Sequence, residues 1–243
     1  MKRSTRYKAR GCRQRPRRRG EKGATLVEFV IVSPIAILLV LAIIQLGLMM
    51  TAKQLLNEAT FVAARAGAVQ NAQVDPMRQA FYKALIPFYQ DSLDSNATTR
   101  IANAWVLAQQ DLAPSTGNLD IRVLNPSPEA FTDFGVTDAN NHTSIPNDSL
   151  GYRDYTGHHG ATSGLSIQDA NVLKIRVTYA YQLKVPLMQS VFKSVMCGFD
   201  TGVNAFGRGG PGADPNNCTQ YYDQGRVPIV SYATVQMQTP AWQ

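Results

Sequence analysis

Residues 30–50 form an apolar run, opening at Val30 and closing at Met50, without a single charged side chain. About 20 apolar residues at roughly 1.5 Å each cross the hydrocarbon core of a bilayer, so the run predicts a transmembrane helix. Pro34 removes one hydrogen bond from that helix, which a membrane span tolerates, usually with a kink. Beyond the span the helical pattern continues. Leu48, Ala52, Leu55, Ala59, Val62, Ala66 and Val69 recur at alternating spacings of four and three and lay a narrow apolar seam along one face. The seam is rich in alanine and permits close backbone approach. It suits either the chain's own core or the helix of another subunit, and covering a core is the commoner use of such a face.

After Asp75-Pro76 a helix is expected over residues 77–89, with Phe81, Leu85 and Phe88 on one face, and another over residues 97–112. Residues 111–117, with Pro114 and Gly117, end the helical half. The period then changes to two. Leu119, Ile121 and Val123 alternate with Asp120 and Arg122, and a longer alternation runs from Leu173 through Ile175, Val177, Tyr179, Tyr181 and Leu183 to Val185. A third covers residues 227–237, with Ile229, Ala233, Val235 and Met237 on one side. Each reads as a strand with one buried and one wet face. The fold class is therefore α+β, a long N-terminal transmembrane helix continuing into a head whose helices pack on a small antiparallel sheet and bury the seam. Residues 125–170 are polar and long for a connection, and are expected to be a solvated insertion.

Charge sharpens this division. Eleven of the 24 Lys and Arg residues precede Gly23, against one acid, Glu21, leaving 13 basic and 16 acidic residues in the rest of the chain. The net charge of +7 thus belongs to the first 23 residues, and the body is mildly acidic. A basic arm abutting an apolar span is a topology signal with affinity for anionic lipid, and it stays on the cytoplasmic side. Nucleic acid is not the expected partner. A cleaved secretory signal is disfavoured too, because its apolar region would be shorter and followed closely by a small-residue cleavage site.

Candidate chemistry is sparse. Asp133, Asp138, Asn140, Asn141 and Asp148 could supply oxygens to calcium, but their spacing is not that of an EF-hand, and His158-His159 reads as exposed loop. Cys12 lies in the basic arm, which leaves Cys197 and Cys218 as a pair in an exported region, where a disulfide would restrain the Gly- and Pro-rich segment between them. A cysteine-histidine zinc site lacks compact ligand spacing. No phosphate loop, nucleophile motif or zinc-hydrolase motif is present, so neither catalysis nor a cofactor is expected.

One acid stands out. Glu28 lies just inside the apolar segment, where an ionised carboxylate is costly unless it is paired or reaches water. Gly23, followed by Ala24-Thr25-Leu26-Val27-Glu28-Phe29 and then Pro34, resembles the prepilin-type cleavage site and membrane entry of type IV pilin-like proteins. The chain is most similar to TadE/TadG-like pseudopilins of the tight-adherence (Flp) pilus system. Gln45-Leu46-Gly47 and Ala63-Ala64-Arg65-Ala66-Gly67-Ala68 extend the likeness to about Gln70. The resemblance implies a pilin-like head and cutting after Gly23 by a prepilin peptidase, with the family's fifth-position acid at Glu28. The leader departs from a short-leader prepilin in being long and rich in arginine. Cleavage would free an ammonium on Ala24, and a carboxylate four residues on could pair with it in the same or a neighbouring subunit.

The expected organisation is a basic cytoplasmic leader (residues 1–23), a transmembrane helix (residues 24–50) and an exported head (residues 51–243). The chain would be a single-pass protein of a bacterial inner membrane, its head periplasmic or extracellular. Its expected partners are other pilins or pseudopilins, the pilus assembly machinery, the prepilin peptidase and membrane lipid. The rival reading is a single-span anchored protein that binds a ligand through residues 125–170.

Overall fold

The computed structural model describes residues 24–91, 93, 96–138, 141–153, 159–198 and 220–243. The chain divides into an N-terminal unit ending at Val40 and a second unit, Leu41–Gln243. One helix, α1 (Ala24–Val69), carries 46 residues and includes Pro34. Two more helices follow, α2 (Val74–Tyr89) and α3 (Ala97–Asp111), then strand β1 (Leu119–Asn125). The connection to the next long strand contains α4 (Pro128–Phe134), β2 (Val136–Thr137), β3 (Thr143–Ile145) and α5 (Ile167–Ala170). Strand β4 (Val172–Gln182), α6 (Met188–Gly198), β5 (Arg226–Gln236) and β6 (Ala241–Trp242) follow among the described residues.

The helix does continue beyond the apolar run, but its buried stripe differs from the expected seam. Ala52, Leu56, Ala59, Thr60, Ala63, Ala64 and Ala68 are buried, whereas Leu55, Val62 and Ala66 are half-buried and Val69 is exposed. Ala52 and Ala59 belong to both sets. The face is rotated towards the smaller side chains because the head comes close to the helix backbone. At Gly67 a β-carbon would lie 2.8 Å from Met77 Cγ on α2, closer than side chains pack. The helix ends where Asn71 and Ala72 take left-handed backbone angles (φ 58° and 59°) and the Ala72 N–H returns to the Gly67 carbonyl. The chain's last residues complete this end. Gln238 and Thr239 donate backbone N–H bonds to the Ala68 carbonyl, and Trp242 donates to that of Asn71.

The three expected strands form one antiparallel sheet in the order β1-β4-β5. Its central strand is β4, whose alternating side chains give the strand its two distinct faces. Ile175 faces Val123 on one side and Ala233 on the other, and Tyr179 faces Leu119 and Ile229. These residues, with Leu173, Val177 and Tyr181, join the buried residues of α1 and α2 in one core. The opposite face carries exposed Lys174, Gln182, Tyr232 and Thr234. Burying one face only is what the alternation demands. The Tyr82 hydroxyl donates to the Leu112 carbonyl at 2.7 Å and ties α2 to the end of α3.

Residues 125–170 are not simply a solvated insertion. Strands β2 and β3 form a hairpin, and β6 pairs with β3 to make a second three-stranded sheet. Ala130, Phe131, Ile145 and Ala170 from this segment are buried in the common core. Ser127 caps α4, accepting from the Ala130 N–H at 3.4 Å. The carboxylates considered for calcium have separate structural uses. Asp133 accepts N–H bonds from Thr162 and Ser163, Asp138 accepts from the His142 N–H, and Asp148 pairs with Arg153. Asn140 and His158 lie outside the described residues.

Candidate functional site

The N-terminal half of α1 is where the expected processing and anchoring residues fall. Gly23 lies outside the described residues, and Ala24 is the first residue of the helix. Glu28, one turn further, is exposed. Phe29, Val30, Ile31, Val32, Ile35, Ile37, Leu39, Val40 and Ile43 are each more than half exposed. Contiguous apolar surface of this extent is not stable in water and marks contact with lipid or with another chain. This helix is long and apolar enough to cross a membrane, and almost none of its apolar window is buried within the protein. It fits a single-pass membrane anchor, with Val30 and Pro34 inside the apolar stretch.

The head takes hold of α1 before the apolar run is finished. Gln45 is fully buried, and its side-chain oxygen accepts the backbone N–H of Val185 at 3.0 Å. Burial pushes the Tyr181 hydroxyl above the usual tyrosine pKa, and the Gln45 side chain offsets part of that shift. Further along, Met49 packs against the core, Lys53 donates to the Val230 carbonyl, and Ser231 donates to Asn57 Oδ1 at 2.8 Å. Met50, the expected end of the span, is exposed while Ala52 is buried. Apolar run and head packing therefore overlap at Gln45 and Met49. Gln45 was the readable signal of this junction, a lone amide in an otherwise apolar stretch, which calls for a hydrogen-bond partner wherever water is excluded.

The pattern Ala63-Ala64-Arg65-Ala66-Gly67-Ala68 also acquires a physical reason. Ala63, Ala64, Gly67 and Ala68 are the close-packed positions, and Arg65 points outward with its guanidinium 5.9 Å from the Phe61 ring centre, one turn earlier.

The other concentrated electrostatics lie in the head and join its layers. Asp111, at the end of α3, pairs with Arg226 of β5 at 2.7 Å, accepts from the Tyr89 hydroxyl at 2.6 Å and receives the Asn118 amide at 3.1 Å. Arg226 also donates to the Ala180 carbonyl, and the Tyr89 and Tyr179 hydroxyls lie 3.2 Å apart. Burial is the main reason that the Tyr89 pKa lies far above its usual value. Burial likewise takes Tyr179 up to about 12, with the Tyr89 hydrogen bond opposing. Both phenols are neutral at neutral pH, so the cluster is a satisfied polar lock between elements. Two open grooves of about 330 and 310 Å³ flank α3, with Tyr89, Asp91 and Leu107 in both, and neither includes a residue from 125–170. No group of three or more His, Cys, Asp or Glu side chains converges among the described residues. Cys197 is described only as backbone within α6, and Cys218 lies outside the described residues.

Residues 23–65 match the family model described as TadE-like protein. No curated protein and no solved structure matches the chain. The matched segment coincides with the first described residues of α1, its exposed apolar half and most of its buried stripe, so the family likeness resides in the helix that carries the exposed apolar surface and packs under the head.

Proposed function

We propose that this chain, TadE-like over residues 23–65, is a noncatalytic pseudopilin or minor pilin that takes part in assembly of a Tad (Flp) pilus or a related secretion filament. The observation that carries the reading is the division of one 46-residue helix into an exposed apolar half and a half buried under the head. A subunit built this way can be held in a bilayer and can later exchange lipid for the helices of other subunits without unfolding its head.

The processing step supplies the switch in this scheme. A prepilin peptidase cuts after Gly23, removes the basic arm and leaves an ammonium on Ala24. Before the cut, eleven basic residues hold the N-terminus on the cytoplasmic side. After it, the exposed Glu28 carboxylate has a partner for its charge in its own or a neighbouring subunit, and pairing offsets much of the cost of keeping either ion in an apolar setting. Partners are thus other pilins or pseudopilins, the assembly machinery, the peptidase and lipid, with the head on the periplasmic or extracellular side of the inner membrane.

The test is Glu28→Gln. It removes the charge while keeping the shape and lowers the cost of insertion, so membrane accumulation should be normal while filament output and crosslinking to assembly partners fall. Normal output and normal crosslinking would remove the pairing role.

A further inference from the structure

We propose that the base of the head, Leu187 with the first turns of α6, lies in the lipid interface as a second membrane contact beside α1; this rests on the reading of α1 as a bilayer span. The charge-free stretch between Glu28 and Lys53 covers residues 29–52. With Glu28 at headgroup depth, a span of about 20 residues starts between residues 29 and 33 and ends between residues 48 and 52. Gln45 then lies three to seven residues before the outer end, roughly 5–10 Å below it along the helix. Val185 is hydrogen-bonded to the Gln45 side chain at 3.0 Å, which brings this part of the head to the same level. Leu187 is two residues further and cannot be more than about 7 Å from Val185.

Two exposed apolar side chains at that level suit lipid better than water, and the exposed Gln189, Ser190 and Lys193 beside them suit the headgroup layer. Leu187 is 62% exposed and holds a left-handed backbone angle, φ 67°, which is strained for a branched apolar residue. Val191, one turn into α6, is 40% exposed. The opposite side of the same turn faces the head, since Met188 is buried and Phe192 packs against the core. Leu187 and Val191 are therefore apolar without being needed for the core. On α1, Leu46, Leu48 and Met50 are exposed at the corresponding depth, so the apolar zone continues that of the span. Lys184 is also exposed, and a lysine beside an apolar turn suits anionic headgroups. The depth set by Gln45 favours lipid as the occupant over a second protein copy.

Tryptophan quenching in vesicles of phosphatidylcholine and phosphatidylglycerol with brominated acyl chains tests this on the full chain. The native Trp105 and Trp242 give a constant background. Leu187→Trp and Val191→Trp should each add blue-shifted emission that shallow bromines quench. Ile37→Trp marks the span and should be quenched by deep bromines. Thr234→Trp, opposite Lys174 at the far end of the β4-β5 pairing, should not be quenched. Val191 occupies ordinary helix, so it decides the matter if the Leu187 variant misfolds. Quenching of Ile37→Trp without quenching at 187 and 191 would overturn the proposal and leave the span intact. Blue-shifted emission at 187 and 191 that resists bromine would show a protein neighbour there and also overturn it. Absence of quenching at Ile37 would remove the span and the proposal together.

Discussion

The side-chain oxygen of Gln45 accepts the backbone N–H of Val185 at 3.0 Å, linking the apolar helix to the loop between β4 and α6. Because Gln45 is fully buried, water cannot replace this bond. Gln45→Leu is expected to leave the Val185 N–H without its acceptor and to destabilise the head by about 1–3 kcal/mol. Retention in the membrane should be unchanged, since the substitution makes the helix more apolar. Denaturant unfolding in detergent, followed by far-ultraviolet circular dichroism and protease resistance, measures the first effect, and carbonate extraction the second.

Close approach of α2 to α1 depends on Gly67. Its missing β-carbon would lie 2.8 Å from Met77 Cγ, and Met77 is itself buried. Gly67→Val should force the two helices apart or move Met77 off its rotamer, at a cost of about 1–3 kcal/mol. The midpoint of thermal unfolding should fall. An equal effect from Gly47→Val, where a β-carbon meets nothing within 4 Å, would show that loss of glycine rather than close packing is responsible.

Much of the head was readable in the sequence because its strands alternate. The strict period of two from Leu173 to Val185 requires one buried face, and β4 supplies it. The order β1-β4-β5 was not readable, since alternation specifies a face and no neighbour. The second sheet was missed for a related reason. Strands β2, β3 and β6 have two or three residues each, too short to establish a period, and they sit among turn-forming Asp, Asn, Ser and Gly. The α1 seam was misplaced because hydrophobicity favours Leu55 and Val62, whereas the approach of sheet and α2 favours Ala63, Ala64 and Gly67. Packing distance selected the stripe.

Alkaline pH should loosen the head through its buried phenols. Tyr179 titrates near 12 in the folded head against about 10 in the unfolded chain, because burial disfavours its anion. Below pH 10 both states are protonated and stability is unaffected. Between pH 10 and 12 only the unfolded state loses its proton, so stability falls, by up to about 3 kcal/mol from this group. Tyr179→Phe should flatten that part of the stability profile measured by denaturant unfolding. An unchanged slope would place the titrating group elsewhere.

Cys197 and Cys218 are expected to form a disulfide once the head is exported. Peptide mapping without reductant should find the linked pair, and loss of the bond should destabilise the head by about 2–5 kcal/mol. Free thiols at both positions in material recovered from the envelope would contradict the pairing.

The mature N-terminus tests the central claim most directly. Intact-mass and N-terminal peptide measurements on the protein purified from membranes should find a chain that begins at Ala24, with the basic arm removed and Glu28 at its fifth position. A chain that begins at or near Met1 would contradict processing, and with it the assignment of this helix to a pilin-like subunit.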